Sequence, residues 1–163
     1  MEQILNIKDK VLSGVDMSPE IMIVSFRGEG NGQYIISSIL DWLREEEITI
    51  DMVMRQSYED EKWSFSFSCG SEDKEKIEKG RMIVEAQKSE TLKVYVQEGL
   101  SDVSAYGVGM DTVSGVVDRI LKALKRENIK IYHVTTSEIS TTVTVDVENA
   151  IRAVIAISTE FDV

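Results

Sequence analysis

The spacing at which apolar residues recur changes several times along the first part of the chain. Residues 20–26 are almost continuously apolar, which predicts a buried strand. A glycine-rich turn follows at 28–32, and a row of apolar residues then recurs at helical spacing. That row consists of Ile35, Ile36, Ile39, Leu40 and Leu43. Residues 48–52 and 63–67 alternate between apolar and polar, which predicts the two arms of a hairpin.

A charged segment and a short strand complete this pattern. Residues 71–88 place Ile77, Ile83 and Val84 among many charges, which predicts an exposed helix with Ser71 as its N-cap. The last strand is marked by three alternating apolar residues, Leu92, Val94 and Val96. The predicted order is strand, helix, strand, strand, helix, strand.

The second half of the chain repeats that order. Residues 103–107 suit a strand, and apolar residues recur at helical spacing over 113–124. Alternation over 129–133 and a β-branched run over 141–145 predict a second hairpin. The final helix is predicted over 147–159, with four apolar residues on one face. Those four are Val147, Ile151, Val154 and Ile155.

The two halves align at one constant offset in residue number. Leu43 corresponds to Leu124, and at the same offset Ile48 corresponds to Ile129. Such spacing, kept through a helix, a turn and a strand, indicates an internal duplication. The second copy lacks a last strand, whereas residues 11–15 form a surplus strand before the first copy. We therefore expect residues 11–15 to close the second copy.

This arrangement predicts an α+β fold made of two βαββαβ modules. Each module has an antiparallel sheet with its helices on one face, and the first module is inserted into the second. The first module is expected at 20–98, and the second at 11–19 together with 99–163.

Charge and cysteine content narrow the possible functions. The net charge of −11 disfavours nucleic acids and anionic membranes, because both carry negative charge. The single cysteine, Cys69, excludes an internal disulfide and a zinc site with several cysteines. We expect Cys69 to be a small packing residue, since Glu72 and Asp73 nearby oppose a reactive thiolate. No apolar run is long enough to cross a bilayer, so a cytoplasmic location is expected.

Short motifs in both copies are similar to those of one known family. Residues 103–110 read Val-Ser-Ala-Tyr-Gly-Val-Gly-Met, 128–131 read Asn-Ile-Lys-Ile, and 135–139 read Thr-Thr-Ser-Glu-Ile. In the first copy, residues 48–52 read Ile-Thr-Ile-Asp-Met. These motifs, with the ending Glu-Phe-Asp-Val at 160–163, resemble the regulatory region of aspartate kinases. The resemblance implies two ferredoxin-like ACT domains, the amino-acid-sensing modules of metabolic enzymes.

The same resemblance implies where a ligand binds. In that family, the effector amino acid lies at the strand-to-helix loop, at an interface between two ACT modules. The free N–H groups of a helix N-terminus suit its carboxylate, and a nearby carboxylate or amide can hold its ammonium group. The implied residues in the first copy are Asn31, Gly32, Gln33, Tyr34, Asp51 and Arg55. Those in the second copy are Asp111, Ser114, Gly115, Lys130, Ile131, Ser137 and Glu138.

The first copy departs from the family pattern in its loop. Asn31 stands where the family has an aspartate, so it keeps an acceptor and loses the charge. Gln33 and Tyr34 replace Pro-Gly, and Arg55 replaces a glutamine. Gly30 and Gly32 still permit an unusual backbone there. In the second copy, only the proline of Pro-Gly is lost, and Lys130 replaces an asparagine.

Several candidates also fit purely structural roles. Asn31 suits a plain turn, Ser137 and Glu138 suit a hairpin corner, and Asp111 with Thr112 suits a helix cap. The single histidine, His133, lies in a strand-like run without an evident catalytic partner. The two tryptophans, Trp42 and Trp63, are expected to be packing or interface residues.

Two functional hypotheses follow. The first is a regulatory module that binds lysine or threonine, assembles as a homodimer through its ACT modules and acts on a kinase chain. The second is an interaction module that has lost ligand sensing and keeps only dimerisation. The family's kinase motif, Lys-Phe-Gly-Gly, does not occur in this sequence. We therefore expect no catalytic residues, no cofactor and no metal.

Overall fold

The computed structural model describes residues 11–86, 90–108, 110 and 114–163. Its strands are β1 (Gly14–Met17), β2 (Ile21–Glu29), β3 (Ile50–Ser57), β4 (Lys62–Gly70), β5 (Lys93–Tyr106), β6 (Ile131–Thr136) and β7 (Ser140–Asp146). Its helices are α1 (Gln33–Glu45), α2 (Lys74–Ala86), α3 (Val116–Arg126) and α4 (Ala150–Phe161). Short 3-10 turns, Ser71–Asp73 and Val147–Asn149, precede α2 and α4.

Tertiary contacts divide the chain into two compact units. The inserted unit is Glu20–Glu98, and the outer unit combines the described residues up to Pro19 with Gly99–Val163. The strand order is β3-β4-β2-β5 in the inserted unit and β6-β7-β5-β1 in the outer unit. Strand β5 contributes its first part to one unit and its second part to the other. The predicted pair of βαββαβ modules, the first inserted into the second, is confirmed.

The core of the inserted unit lies between its sheet and its two helices. Alternate residues of β2 and β4 point to the helices, and these include Val24, Phe26, Trp63 and Phe67. Helix α1 contributes its apolar stripe, whereas α2 buries only Ile77 fully. The charged helix is therefore held by few core contacts, as its composition predicts.

The core residues of the outer unit are more fully buried, and β1 closes its sheet. Val103, Ile120, Leu124, Val143 and Ile157 are fully buried there. Strand β1 pairs antiparallel with β5, from Gly14 opposite Tyr106 to Met17 opposite Val103.

The closing strand was expected at 11–15, but it lies at Gly14–Met17, further along the chain. Strand β5 ends at Tyr106, so residues 11 and 12 have no strand beside them with which to pair. Leu12 is nevertheless buried, and the backbone of Val11 and Leu12 packs directly against Gly107.

Two helix predictions were wrong in detail. Ser71 does not cap α2: it opens the preceding 3-10 turn, whose N-cap is Gly70. The predicted apolar face of the last helix is largely exposed, with Ile151 at 62% and Ile155 at 59%. Helix α4 instead buries Ala150, Ala153 and Ile157, because small side chains let it approach the sheet closely. The helix predicted over 71–88 ends at Ala86, and residues 87–89 lie outside the described residues.

The internal repeat is visible in the backbone as well as in the sequence. Strands β3 and β6 begin at Ile50 and Ile131, which are related by the same offset as Leu43 and Leu124, and each has a register shift near its start. The offset becomes smaller after the hairpins, where Lys74 and Ala150 begin α2 and α4. The β3–β4 hairpin of the inserted unit is accordingly longer than the β6–β7 hairpin of the outer unit.

Candidate functional site

The two strand-to-helix loops place a glycine at the start of the following helix. Gly32 is the N-cap of α1, and Gly115 is the N-cap of α3. Glycine has no side-chain oxygen, so it cannot satisfy the free N–H groups of the first turn as serine or aspartate would. Asn31 partly compensates in the first loop, where its Oδ1 accepts a hydrogen bond of 3.2 Å from the Gln33 N–H. Asp111 lies outside the described residues.

The Trp63 side chain packs directly against the first loop, a contact that was not predicted from the sequence. A Cβ atom on Gly32 would lie 2.3 Å from the indole, and one on Gly28 would lie 2.4 Å from it. The indole is 2% exposed, and its N–H approaches the carbonyl of Glu29 at 3.4 Å. Gly32 has an ordinary φ of −64°, which residues other than glycine also adopt. The close contact with Trp63 is therefore the reason that this position requires glycine. The left-handed residue of this loop is Gly30, at φ 76°.

Each loop also contacts the tip of the hairpin in its own unit. In the inserted unit, the Gly30 N–H donates to the carbonyl of Glu61 over 2.8 Å. In the outer unit, the Gly107 N–H donates to the carbonyl of Ile139 over 2.9 Å. The hairpin tip and the loop therefore form one continuous surface at the same end of each sheet.

Ser137 and Glu138 lie in the hairpin tip of the outer unit, between β6 and β7. The Ser137 Oγ accepts a hydrogen bond of 3.1 Å from the Ser140 N–H and contacts the Ser140 Oγ at 2.9 Å. Ser137 thus stabilises the hairpin corner, while Glu138 is exposed. Ser114 and Gly115 are exposed at the start of α3.

Asp51 does not lie near Asn31 within one unit. Strand β3 runs parallel to β2, and Ile50 lies across β4 from Met22 near the beginning of β2. Glu29 lies seven residue steps beyond Met22 along β2, which at about 3.3 Å per step is roughly 23 Å. Arg55 lies closer to the loop end, and its Nη1 donates to the Ser57 Oγ over 3.0 Å.

Lys130 and Ile131 occupy the corresponding distant position in the outer unit. Ile131 pairs with Val145, which lies opposite Ser101, whereas the loop follows Tyr106 at the other end of β5. The Lys130 Nζ lies 4.3 Å from the centre of the Tyr132 ring. The candidates in each unit therefore form two groups at opposite ends of the sheet, and a second module would have to unite them in one site.

A cleft of about 550 Å³ opens beside the first loop, and the sequence analysis did not identify it. Its charged residues have both signs: Arg27, Glu29, Asp60, Lys62, Glu90 and Lys93 line it. Lys62 donates a hydrogen bond to Asp60, which holds the pKa of that carboxyl below its ordinary value. Arg27 stacks over the Tyr95 ring at 4.9 Å. Mixed charges of this kind suit a zwitterion.

The remaining single residues have structural surroundings. His133 is half-buried on β6, opposite Thr144. Cys69 is buried, and desolvation together with Asp73 and Glu72 raises the pKa of its thiol to about 12. Among the described residues, no group of three or more His, Cys, Asp and Glu could hold a metal ion. In the same part of the chain, no helix is long and apolar enough to span a membrane.

Comparison with known proteins finds a family match in the outer unit. Residues 103–161 match the family model of the ACT domain. The part of the chain that runs from the second half of β5 to α4 is thus similar to an ACT domain. An aspartokinase of Helicobacter pylori (strain ATCC 700392 / 26695) is 30% identical over 144 residues, or 88% of this chain and 35% of the relative. The chain thus spans about a third of the length of that relative, and the predicted relationship to aspartokinases is confirmed.

Solved structures agree on the tandem ACT fold. The ligand-free regulatory subunit of aspartate kinase from Thermus thermophilus has a TM-score of 0.79 at 20% identity, covering 93% of this chain and 99% of that chain. E. coli aspartokinase III in complex with lysine and aspartate has a TM-score of 0.61 at 14% identity, covering 93% of this chain and 33% of that chain. At these identities, the likeness establishes the fold.

Proposed function

We propose that this tandem ACT protein is a regulatory module that binds a free amino acid at its strand-to-helix loops. Lysine and threonine are the first candidates. The observation that carries the proposal is the glycine N-cap on both α1 and α3, because neither N-cap residue supplies a side-chain acceptor and Asn31 accepts only from the Gln33 N–H. The carboxylate of an amino acid is the anion that such a terminus suits.

Assembly with a second chain is part of the same proposal. Asp51 and Lys130 lie at the sheet ends opposite the loops, so a site that uses all the candidates needs a second module, and we propose that this module comes from another copy. Exposed apolar residues support such contacts: Val53 on the edge strand β3 is 53% exposed, and Ile151 and Ile155 form an exposed row on α4. Because edge strands carry unpaired backbone groups, pairing between copies would satisfy them.

A regulatory effect then follows from ligand-dependent assembly. An amino acid that binds one arrangement of two chains better than another shifts their equilibrium. The homologous aspartokinase is about two and a half times as long as this chain, so a kinase chain is the partner that we propose to respond.

Calorimetric titration of the purified chain with lysine, threonine and methionine tests the proposal. One amino acid is expected to bind with a Kd in the millimolar range or below and to raise the melting temperature as its concentration rises. Asn31→Asp should tighten binding if the ligand ammonium group lies beside residue 31, and Asn31→Ala should weaken it. Asn149→Asp is the matched control, because it makes the same charge change in the turn before α4.

A second candidate function is a dimerisation module that binds no amino acid. It is favoured by the contacts of Ser137 and Lys130, both of which are engaged within their own unit. In that case, no amino acid binds, and Asn31→Ala and Ser114→Ala leave the sedimentation of the chain unchanged.

A further inference from the structure

The inserted unit contains a cavity of about 420 Å³ between its two helices and its sheet. The helices meet where the Trp42 indole lies against Gly80, at which a Cβ atom would be only 2.5 Å from the ring. The floor and walls of the cavity are apolar. They include Val24 and Val94 on the strands, Ile39 and Trp42 on α1, and Ile77 and Val84 on α2.

The internal repeat explains why this space is unfilled. Counted from the first residue of α2 and of α4, Ile77 and Ala153 hold the same place. One turn further on, Arg81 corresponds to Ile157, which is fully buried in the outer unit and fills the space between helix and sheet there. Arg81 is partly exposed, and its charged end pairs with two glutamates of α2. At this equivalent position, Ile157 therefore completes the core of the outer unit, whereas Arg81 leaves the core of the inserted unit open.

The polar groups at the cavity define the ligand chemistry. Arg81 lies between the carboxylates of Glu78 and Glu85, which offset its charge, so the cavity gives little attraction to an anion. Ser38 is exposed where it lines the cavity, and its hydroxyl donates to the Tyr34 carbonyl over 3.0 Å, which leaves its oxygen lone pairs to accept a hydrogen bond. A suitable ligand is therefore uncharged, mainly apolar and equipped with one hydrogen-bond donor.

We propose that this cavity binds a small neutral molecule of that class, with its apolar body between α1 and α2 and its donor on the Ser38 oxygen. The volume lies within the range of known small-molecule sites, about 300–1,000 Å³, and such sites combine apolar walls with few polar groups. The site is separate from the amino-acid loops, so it does not depend on the function proposed above.

Indole and indene are matched probes, because they share a shape and only indole carries an N–H donor. Calorimetric titration of the full chain should show saturable indole binding with a Kd below about 1 mM and weaker binding of indene, by about fivefold for one hydrogen bond. Ser38→Ala should remove this preference and keep indene binding. Octanoate, an anion of comparable apolar content, should bind more weakly than indole.

Arg81→Ile is the decisive variant, since it restores the residue type of the outer unit. It should raise the melting temperature by filling the cavity and lower indole affinity at least about tenfold. Arg81→Lys keeps the charge and the open space, so indole affinity should stay within about twofold.

Absence of saturable indole binding to the wild-type chain would overturn the proposal. So would indole binding that is unchanged in Arg81→Ile. A change in sedimentation with Arg81→Ile, without any probe binding to the wild type, would assign the cavity to a contact between two copies and also overturn it.

Discussion

Glu47 and Asn128, which occupy equivalent positions in the two copies, both adopt the left-handed conformation at φ 55°. Each lies just after the end of a helix. The residue that follows it donates a backbone hydrogen bond to the last turn of that helix. The Ile48 N–H donates to Leu43 over 2.9 Å, and the Ile129 N–H donates to Leu124 over 3.0 Å. The duplicated modules therefore share the same helix ending, built on a favourable asparagine in one copy and an unfavourable glutamate in the other.

Replacing Glu47 should stabilise the inserted unit. Glycine and asparagine tolerate the left-handed region better than a longer side chain does, so Glu47→Gly should raise the free energy of unfolding by about 0.5–1 kcal/mol. Urea denaturation measures the change. Asn128→Gly is the control and should gain less, because asparagine already suits the position. An equal gain at both positions would contradict the explanation.

Gly32→Ala should destabilise the chain because of Trp63. The dihedral angles of Gly32 accept alanine, so the cost comes from a Cβ atom 2.3 Å from a buried indole. Overpacking of this kind costs about 1–3 kcal/mol. In a Trp63→Val background, the same substitution should become neutral or stabilising. A double-mutant cycle by thermal denaturation tests this, and a persistent loss in that background would show that Trp63 is not the cause.

The Cys69 thiol should be almost unreactive in the folded chain. Its pKa of about 12, against an ordinary value of 9.0, leaves about a thousandfold less thiolate at pH 8. Labelling by a thiol reagent should therefore be slow in buffer and fast in denaturing urea. The folded state also holds this proton more tightly, so stability should fall as the pH rises from 9 towards 12. Cys69→Ser should lose that alkaline slope.

Glu160 should titrate below its ordinary pKa of 4.5, because Arg119 and Arg126 donate hydrogen bonds to its carboxylate. A depressed pKa means that the contribution of this carboxylate to stability is complete above about pH 4.5 and is lost as the pH falls through the folded-state value. Titration of the Glu160 carboxyl carbon by NMR measures it. Arg126→Gln should raise the pKa, whereas Lys122→Gln, whose partner is Asp118, should not.

Much of the fold could be predicted because the repeat and the hydrophobic periods agree. The apolar stripe of α1 and the hairpin alternation each specify a buried face, and the constant offset between the copies places their counterparts in the outer unit. The side of α4 that is buried could not be predicted in this way. Val147, Ile151 and Ile155 form one apolar row and Ala150, Ala153 and Ile157 another, and periodicity alone favours the larger side chains.

The candidate site was harder to predict because it depends on the register in which neighbouring strands pair. That Asp51 lies far from Asn31 follows from the parallel run of β2 and β3, which the βαββαβ order already implies. The contact between Gly32 and Trp63 does not follow from that order. It requires the pairing that sets Gly28 opposite Trp63, which local sequence patterns leave undetermined.

The insertion of one unit into the other sets the order in which a nascent chain can fold. Strand β1 leaves the ribosome before the inserted unit, yet its pairing partner, the second part of β5, follows only after all of Glu20–Glu98 has been made. The hydrogen bond from the Ser18 N–H to the Asp102 carbonyl then closes a loop that contains the inserted unit. A folded insert shortens that loop and lowers its closure entropy. Substitutions that weaken the insert should consequently delay the outer unit as well.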